Sequence, residues 1–79
     1  MDRDVTVSTT PDGRHCVLLR DVSDETRVEI LDWCERMYFE GDRPSITAYE
    51  TRHGKWTMRG SFVGDDSEKN AALFRMFWN

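Results

Sequence analysis

The chain is poor in every residue type that signals a reactive centre. It has two cysteines, two histidines and two prolines in 79 residues. Neither C-x-x-C nor H-x-x-x-H spacing occurs, which excludes the common tetrahedral metal boxes. The five glycines are scattered, so no phosphate-cradling loop is present. His15 stands next to Cys16, but neighbours in a strand point to opposite faces and cannot work as base and nucleophile. Asp65 and Asp66 are a carboxylate pair just before a helix, where capping explains them. No enzyme activity, metal or other cofactor is expected.

Long apolar runs are also missing. No stretch approaches the ~20 residues of a membrane helix. Met1 is followed by Asp2-Arg3-Asp4, which is not a secretory leader. A cytoplasmic protein without membrane contact is the expectation. Cys16 and Cys34 are too few for a disulfide scaffold and both lie in apolar patterns, so they read as reduced core thiols. No internal repeat or low-complexity tract is visible.

What is present fits one small α+β domain over residues 1–79. A chain this short buries only ~60% of its unfolded surface, so stability is marginal or shared with a partner subunit. Three tryptophans, two tyrosines and four phenylalanines are too many for a disordered segment. The net charge of −4 and pI near 5.0 argue against a general nucleic-acid coat.

Charge is segregated along the chain. Residues 24–40 hold Asp24, Glu25, Glu29, Asp32, Glu35 and Glu40 against Arg27 and Arg36, a balance equal to that of the whole protein. Residues 43–59 hold Arg43, Arg52, Lys55 and Arg59 against Glu50.

Asp4–Thr9 alternates and is β-branched, which predicts a strand. Pro11-Asp12-Gly13 supplies a preset φ, a self-capping side chain and a residue free to take positive φ: a hairpin turn. The return strand, His15–Arg20, has an unbroken apolar run and reads as central, buried on both faces. Ser23 is a good N-cap for a helix that runs to about Phe39, with Gly41 as the C′ residue and Pro44 blocking continuation. Ile30, Leu31, Cys34, Met37 and Tyr38 form its apolar stripe, and Asp32 can pair with Arg36 one turn on. Ser45–Arg52 and Lys55–Val63 form a second hairpin around His53-Gly54. Gly60 reads as a bulge or a close helix contact. A short helix follows from Glu68 to about Leu73. Phe74–Trp78 alternates again and reads as a fifth strand, with a helix continuing to Met76 as the competing reading.

The predicted order is β-β-α-β-β-α-β: a mainly antiparallel sheet of four or five strands with one long helix packed on one face. The expected core is Val5, Val7, Val17, Leu19, Ile30, Leu31, Cys34, Met37, Tyr38, Ile46, Met58, Phe62, Leu73 and Phe74.

Two surfaces are candidates for binding. The acidic helix offers Glu29, Asp32, Trp33, Arg36 and Glu40, where Trp33 is either a partly exposed aromatic among charges, a frequent hot-spot composition, or a large ring packed over the edge of the sheet. The second hairpin offers Arg52, His53, Lys55, Trp56 and Arg59, basic groups interleaved with an aromatic, which suits phosphate contact with base stacking.

Residues 62–78 read Phe62-x-x-Asp65-Asp66-x-Glu68-x-x-Ala71-x-Leu73-Phe74-x-Met76-x-Trp78. This segment resembles the closing pattern of many small phage-encoded accessory proteins. It departs from the commonest form, which places a basic residue and leucine where Arg75-Met76 stand. The resemblance implies a phage or mobile-element origin, and small acidic proteins of this group often act on host machinery. Anti-CRISPR and other anti-defence inhibitors are the members it points to first. The resulting expectation is a non-enzymatic inhibitor, monomer or homodimer, whose acidic helix contacts a host protein or ribonucleoprotein complex. A small nucleic-acid-binding module and a phage structural protein that assembles through its sheet edge are the alternatives.

Overall fold

Two turn sequences set up the sheet. Thr10 and Arg14 face each other across a three-residue loop, with the Thr10 amide 2.9 Å from the Arg14 carbonyl oxygen. Gly13 takes φ +87° there, the left-handed conformation for which glycine is favoured. Gly54 does the same at the second hairpin, with φ +75°. In the computed structural model, which describes residues 5–78, these turns join β1 (Val5–Thr9) to β2 (His15–Ser23) and β3 (Ser45–Arg52) to β4 (Lys55–Phe62). The expected strand start at Asp4 lies outside the described residues.

Helix α1 (Asp24–Met37) follows β2, and α2 (Ser67–Trp78) follows β4. The element order among the described residues is β-β-α-β-β-α. The sheet is antiparallel throughout, in the order β1-β2-β4-β3. Both helices pack on one side of it, α1 against β2 and β4, and α2 against β1, β2 and β4. The layer is thus shared by two helices of similar length.

Ser23 caps α1 as expected, its hydroxyl accepting from the Thr26 amide at 3.2 Å. The helix stops at Met37 rather than Phe39. Tyr38 is the C-cap residue, and Gly41 lies inside a separate 3-10 turn, Glu40–Asp42. The Arg43 guanidinium reaches back to the Glu35 and Tyr38 carbonyl oxygens at 3.0 and 3.2 Å. Those carbonyls are otherwise orphaned at a helix end, where a cation is also favoured by the dipole.

The predicted fifth strand is the second half of α2. Ser67, Ala71, Phe74 and Trp78 are buried, a 4-3-4 spacing that lies along one helix face. A strand over 74–78 would instead bury Met76 with Phe74 and Trp78, and Met76 is 81% exposed. Helical burial won because Phe74 and Trp78 both reach the Trp33 ring of α1, at centroid distances of 5.9 Å.

The core lies between sheet and helices. Val17, Leu19, Ile30, Met58, Phe62 and Phe74 are almost fully enclosed. Each contributes about 1.5–3 kcal/mol relative to exposure. Val5, Cys34 and Tyr38 join them as expected. Leu31, Met37 and Leu73 do not; they are exposed, while Val7 and Ile46 are partly buried. Val22, Trp33, Ala71 and Trp78 take places in the core that the sequence reading left out. β2 is central, but its burial is one-sided: Val17, Leu19 and Val22 are enclosed, Cys16 and Leu18 only partly.

Gly60 marks neither a bulge nor a helix contact. Its register with Val17 and Ile46 is regular, and an added Cβ would stand 3.0 Å from the Val17 side chain. The irregularities lie elsewhere, between Leu19 and Val22 and between Glu50 and Arg52. Asp21, inside the first, takes φ +56°, which Asp tolerates better than most side chains.

Candidate interaction surfaces

The charge segregation of the sequence becomes a difference between two sides. Burying Ile30, Trp33 and Cys34 turns the opposite face of α1 outward. That face exposes Glu25, Glu29, Asp32, Glu35 and Arg36. Asp32 and Arg36 form the expected pair at 3.1 Å. Glu25, Glu29 and Glu35 have no ion pair among the described residues. Glu40 is exposed too, on the 3-10 turn and off the helix.

Trp33 does not supply the exposed aromatic. It is 6% exposed, packed against Tyr38, Phe74, Phe77 and Trp78. What reaches solvent is the ring stacked on it. Phe77 lies 4.8 Å from the Trp33 centroid, 26° from parallel, and is 58% exposed. Leu73 and Met76, at i−4 and i−1, extend an exposed apolar row along α2. Glu29 and Arg36 stand four residues before and three after Trp33, so they share its flank of α1. The helical side therefore joins an apolar row to an acidic one, and the signal for it was the 4-3-4 burial of α2.

The hairpin constellation comes apart. Trp56 faces the helices, donating its indole N–H to Asp24 at the start of α1, with the Arg27 guanidinium 4.4 Å above its ring. Arg52 reaches Asp21 at 3.6 Å. His53 and Lys55 remain exposed at the tip, and Arg59 projects from the opposite face of the sheet. Arg43, part of the same basic segment, is used as the α1 cap. Sequence proximity thus gathered residues that strand alternation sends apart.

That opposite face is open. Its central residues are Thr6 on β1, Cys16 and Leu18 on β2, Arg59 on β4 and Thr47 and Tyr49 on β3. A depression of about 230 Å³ is lined there by Thr6, Ser8, Thr10, Cys16, Leu18 and Arg59.

The remaining polar chemistry is structural. His15 Nδ1 lies 2.9 Å from Ser67 Oγ, tying the start of β2 to the start of α2. Ser67 is buried, and no carboxylate among the described residues bonds the ring. Burial pushes the Cys34 thiol up to about 12, so it stays protonated at neutral pH and is a poor nucleophile or ligand. Burial, and then the neighbouring Cys34, also raise Tyr38, whose hydroxyl donates to the Asn70 carbonyl at 2.8 Å. No group of three or more His, Cys, Asp or Glu among the described residues is placed to hold a metal ion. No described helix is long and apolar enough to cross a membrane. No family model, curated protein or solved structure matches the chain.

Proposed function

We propose that this protein is a non-enzymatic binding domain that docks on a basic surface of a partner protein through its helical side. The observation that carries the reading is Phe77. It is an aromatic ring held flat on a buried tryptophan, yet more than half exposed. Preorganised aromatic anchors lose little entropy on binding and dominate interface energetics. Met76 and Leu73 enlarge the apolar contact, while Glu25, Glu29, Asp32 and Glu35 supply the complementary charge. Trp33 supports the anchor from beneath and does not itself reach a partner.

The phage-type resemblance of residues 62–78 gives this surface a context. A host defence complex that holds nucleic acid offers a basic groove, and an acidic helix can compete for it. The protein would then act in the host cytoplasm as an inhibitor, by occupancy rather than chemistry.

The test is capture of bacterial lysate proteins on the tagged protein, at low and high salt, with wild type and two variants. Met76→Glu removes the apolar contact and leaves the core alone. Glu25→Gln with Glu29→Gln removes the charge. A single host protein retained by wild type, released at high salt and lost from both variants is the expected result. A captured protein that both variants retain equally would sink the reading.

A further inference from the structure

We infer that the open face of the sheet is a second binding surface, for single-stranded nucleic acid, on the side away from the helices. The inference goes beyond the protein-docking reading and does not depend on it.

Strand alternation fixes which side chains share this face. Leu18 pairs with Thr6 on one side and Arg59 on the other, and Arg59 pairs with Thr47. Arg20 and Asp21 lie in the bulge between the enclosed Leu19 and Val22 and so project to the open side, while Tyr49 shares the side of Thr47, directly opposite Thr57. Arg59 and Tyr49 therefore project from adjacent rows, about 7 Å apart along the strands, with Arg20 in the bulge alongside.

Charge complementarity decides the occupant. The protein is acidic overall, yet this face carries Arg20 and Arg59, and Asp21, in the bulge beside Arg20, is already paired with Arg52. Arg20 and Arg59 are exposed and make no hydrogen bond or ion pair among the described residues. Most arginines elsewhere are committed: Arg14 to Asp12, Arg27 to Asp24 and Trp56, Arg36 to Asp32, Arg43 to the α1 carbonyls, Arg52 to Asp21. Beside Arg59 lies the depression lined in part by Thr6 and Ser8, whose hydroxyls can donate to phosphate oxygens, while the Thr10 hydroxyl at its edge donates to Asp12. Tyr49, 54% exposed, offers a ring face on which a base can stack. Guanidiniums, hydroxyls and one stacking ring on an open sheet suit a flexible single strand, whose bases are free to turn onto the protein.

Fluorescence anisotropy with a labelled oligothymidylate of about ten nucleotides tests this. Binding is expected at low salt. With two phosphate contacts, log K should fall against log salt with a slope of about −1.4, and each of Arg20→Gln and Arg59→Gln should remove about 0.7 of it. Tyr49→Ala should weaken binding about tenfold and Tyr49→Phe should restore it. Glu25→Gln with Glu29→Gln should not weaken it, which separates this outcome from failure of the helical-side reading. No binding at low salt, an unchanged slope in the Arg20→Gln, Arg59→Gln double variant, equal affinity for duplex, or displacement by an equimolar amount of inorganic phosphate would each overturn the inference.

Discussion

The two sides of the sheet are built from the same strands and serve opposite ends. The helix-facing side holds Val17, Leu19, Met58 and Phe62, with Trp33, Phe74 and Trp78 closing over them. The open side holds hydroxyls, Arg20, Arg59 and one tyrosine, with Asp21 paired to Arg52 at its bulge and Cys16 and Leu18 half-covered. One pleat therefore separates the residues that hold the protein together from those free to bind. Residues i and i+1 of a strand differ in purpose as much as residues from distant segments do.

The comparison is most exposed to breakage at Trp33. Trp33→Ala should cost about 3–5 kcal/mol, since it removes the ring on which Tyr38, Phe74, Phe77 and Trp78 all pack. Tyr49→Ala, on the open side, should stay within about 0.5 kcal/mol. Urea unfolding of both measures the contrast; similar losses would mean that the open side is also part of the core.

Gly60→Val probes how tightly the enclosed side is filled. The new Cβ would meet Val17 at 3.0 Å between two other strands, so a loss of about 1–3 kcal/mol is expected. An unchanged midpoint would show that Val17 has room to move. Arg43→Met should come next, at about 1–2 kcal/mol, because it uncaps two α1 carbonyls. Its effect should show as faster amide exchange at the α1 C-terminus before it shows in global unfolding.

The two thiols sharpen the contrast chemically. Cys16 should react with an aromatic disulfide in the native protein, and Cys34 only on unfolding. Cys34 is raised from 9.0 to about 12 in the folded state. A thiol raised in this way favours the folded state below its unfolded value. That contribution is lost as pH climbs from 9.0 towards about 12. Stability should therefore decline over that range, less steeply in Cys34→Ala. A decline of equal steepness in the variant would place its origin elsewhere. The smallest effect belongs to Asp32→Asn, about 0.3–0.5 kcal/mol from an exposed pair one helical turn apart.

The sequence by itself determined the local structure. The two hairpins, the Ser23 cap, the Asp32–Arg36 pair and the α+β class follow from turn residues, capping groups and periodicity, which act over a few residues and are written in their order. Tertiary structure decided the rest. Phe74–Trp78 alternates in the sequence, but the Trp33 ring rewarded a helix instead. Trp33 read equally as a partly exposed anchor or a packed ring; α2 covers it, and Phe77 takes the exposed place. The basic residues of 43–59 looked like one cluster, yet they were divided among a helix cap, an ion pair across strands, a hairpin tip and the open face. Even the matching β1-β2-α1 and β3-β4-α2 units, which can be exchanged without altering the strand order, left no repeat in the sequence. Burial depends on which distant segment arrives to cover a side chain, and that is a property of the packed whole that no local pattern contains.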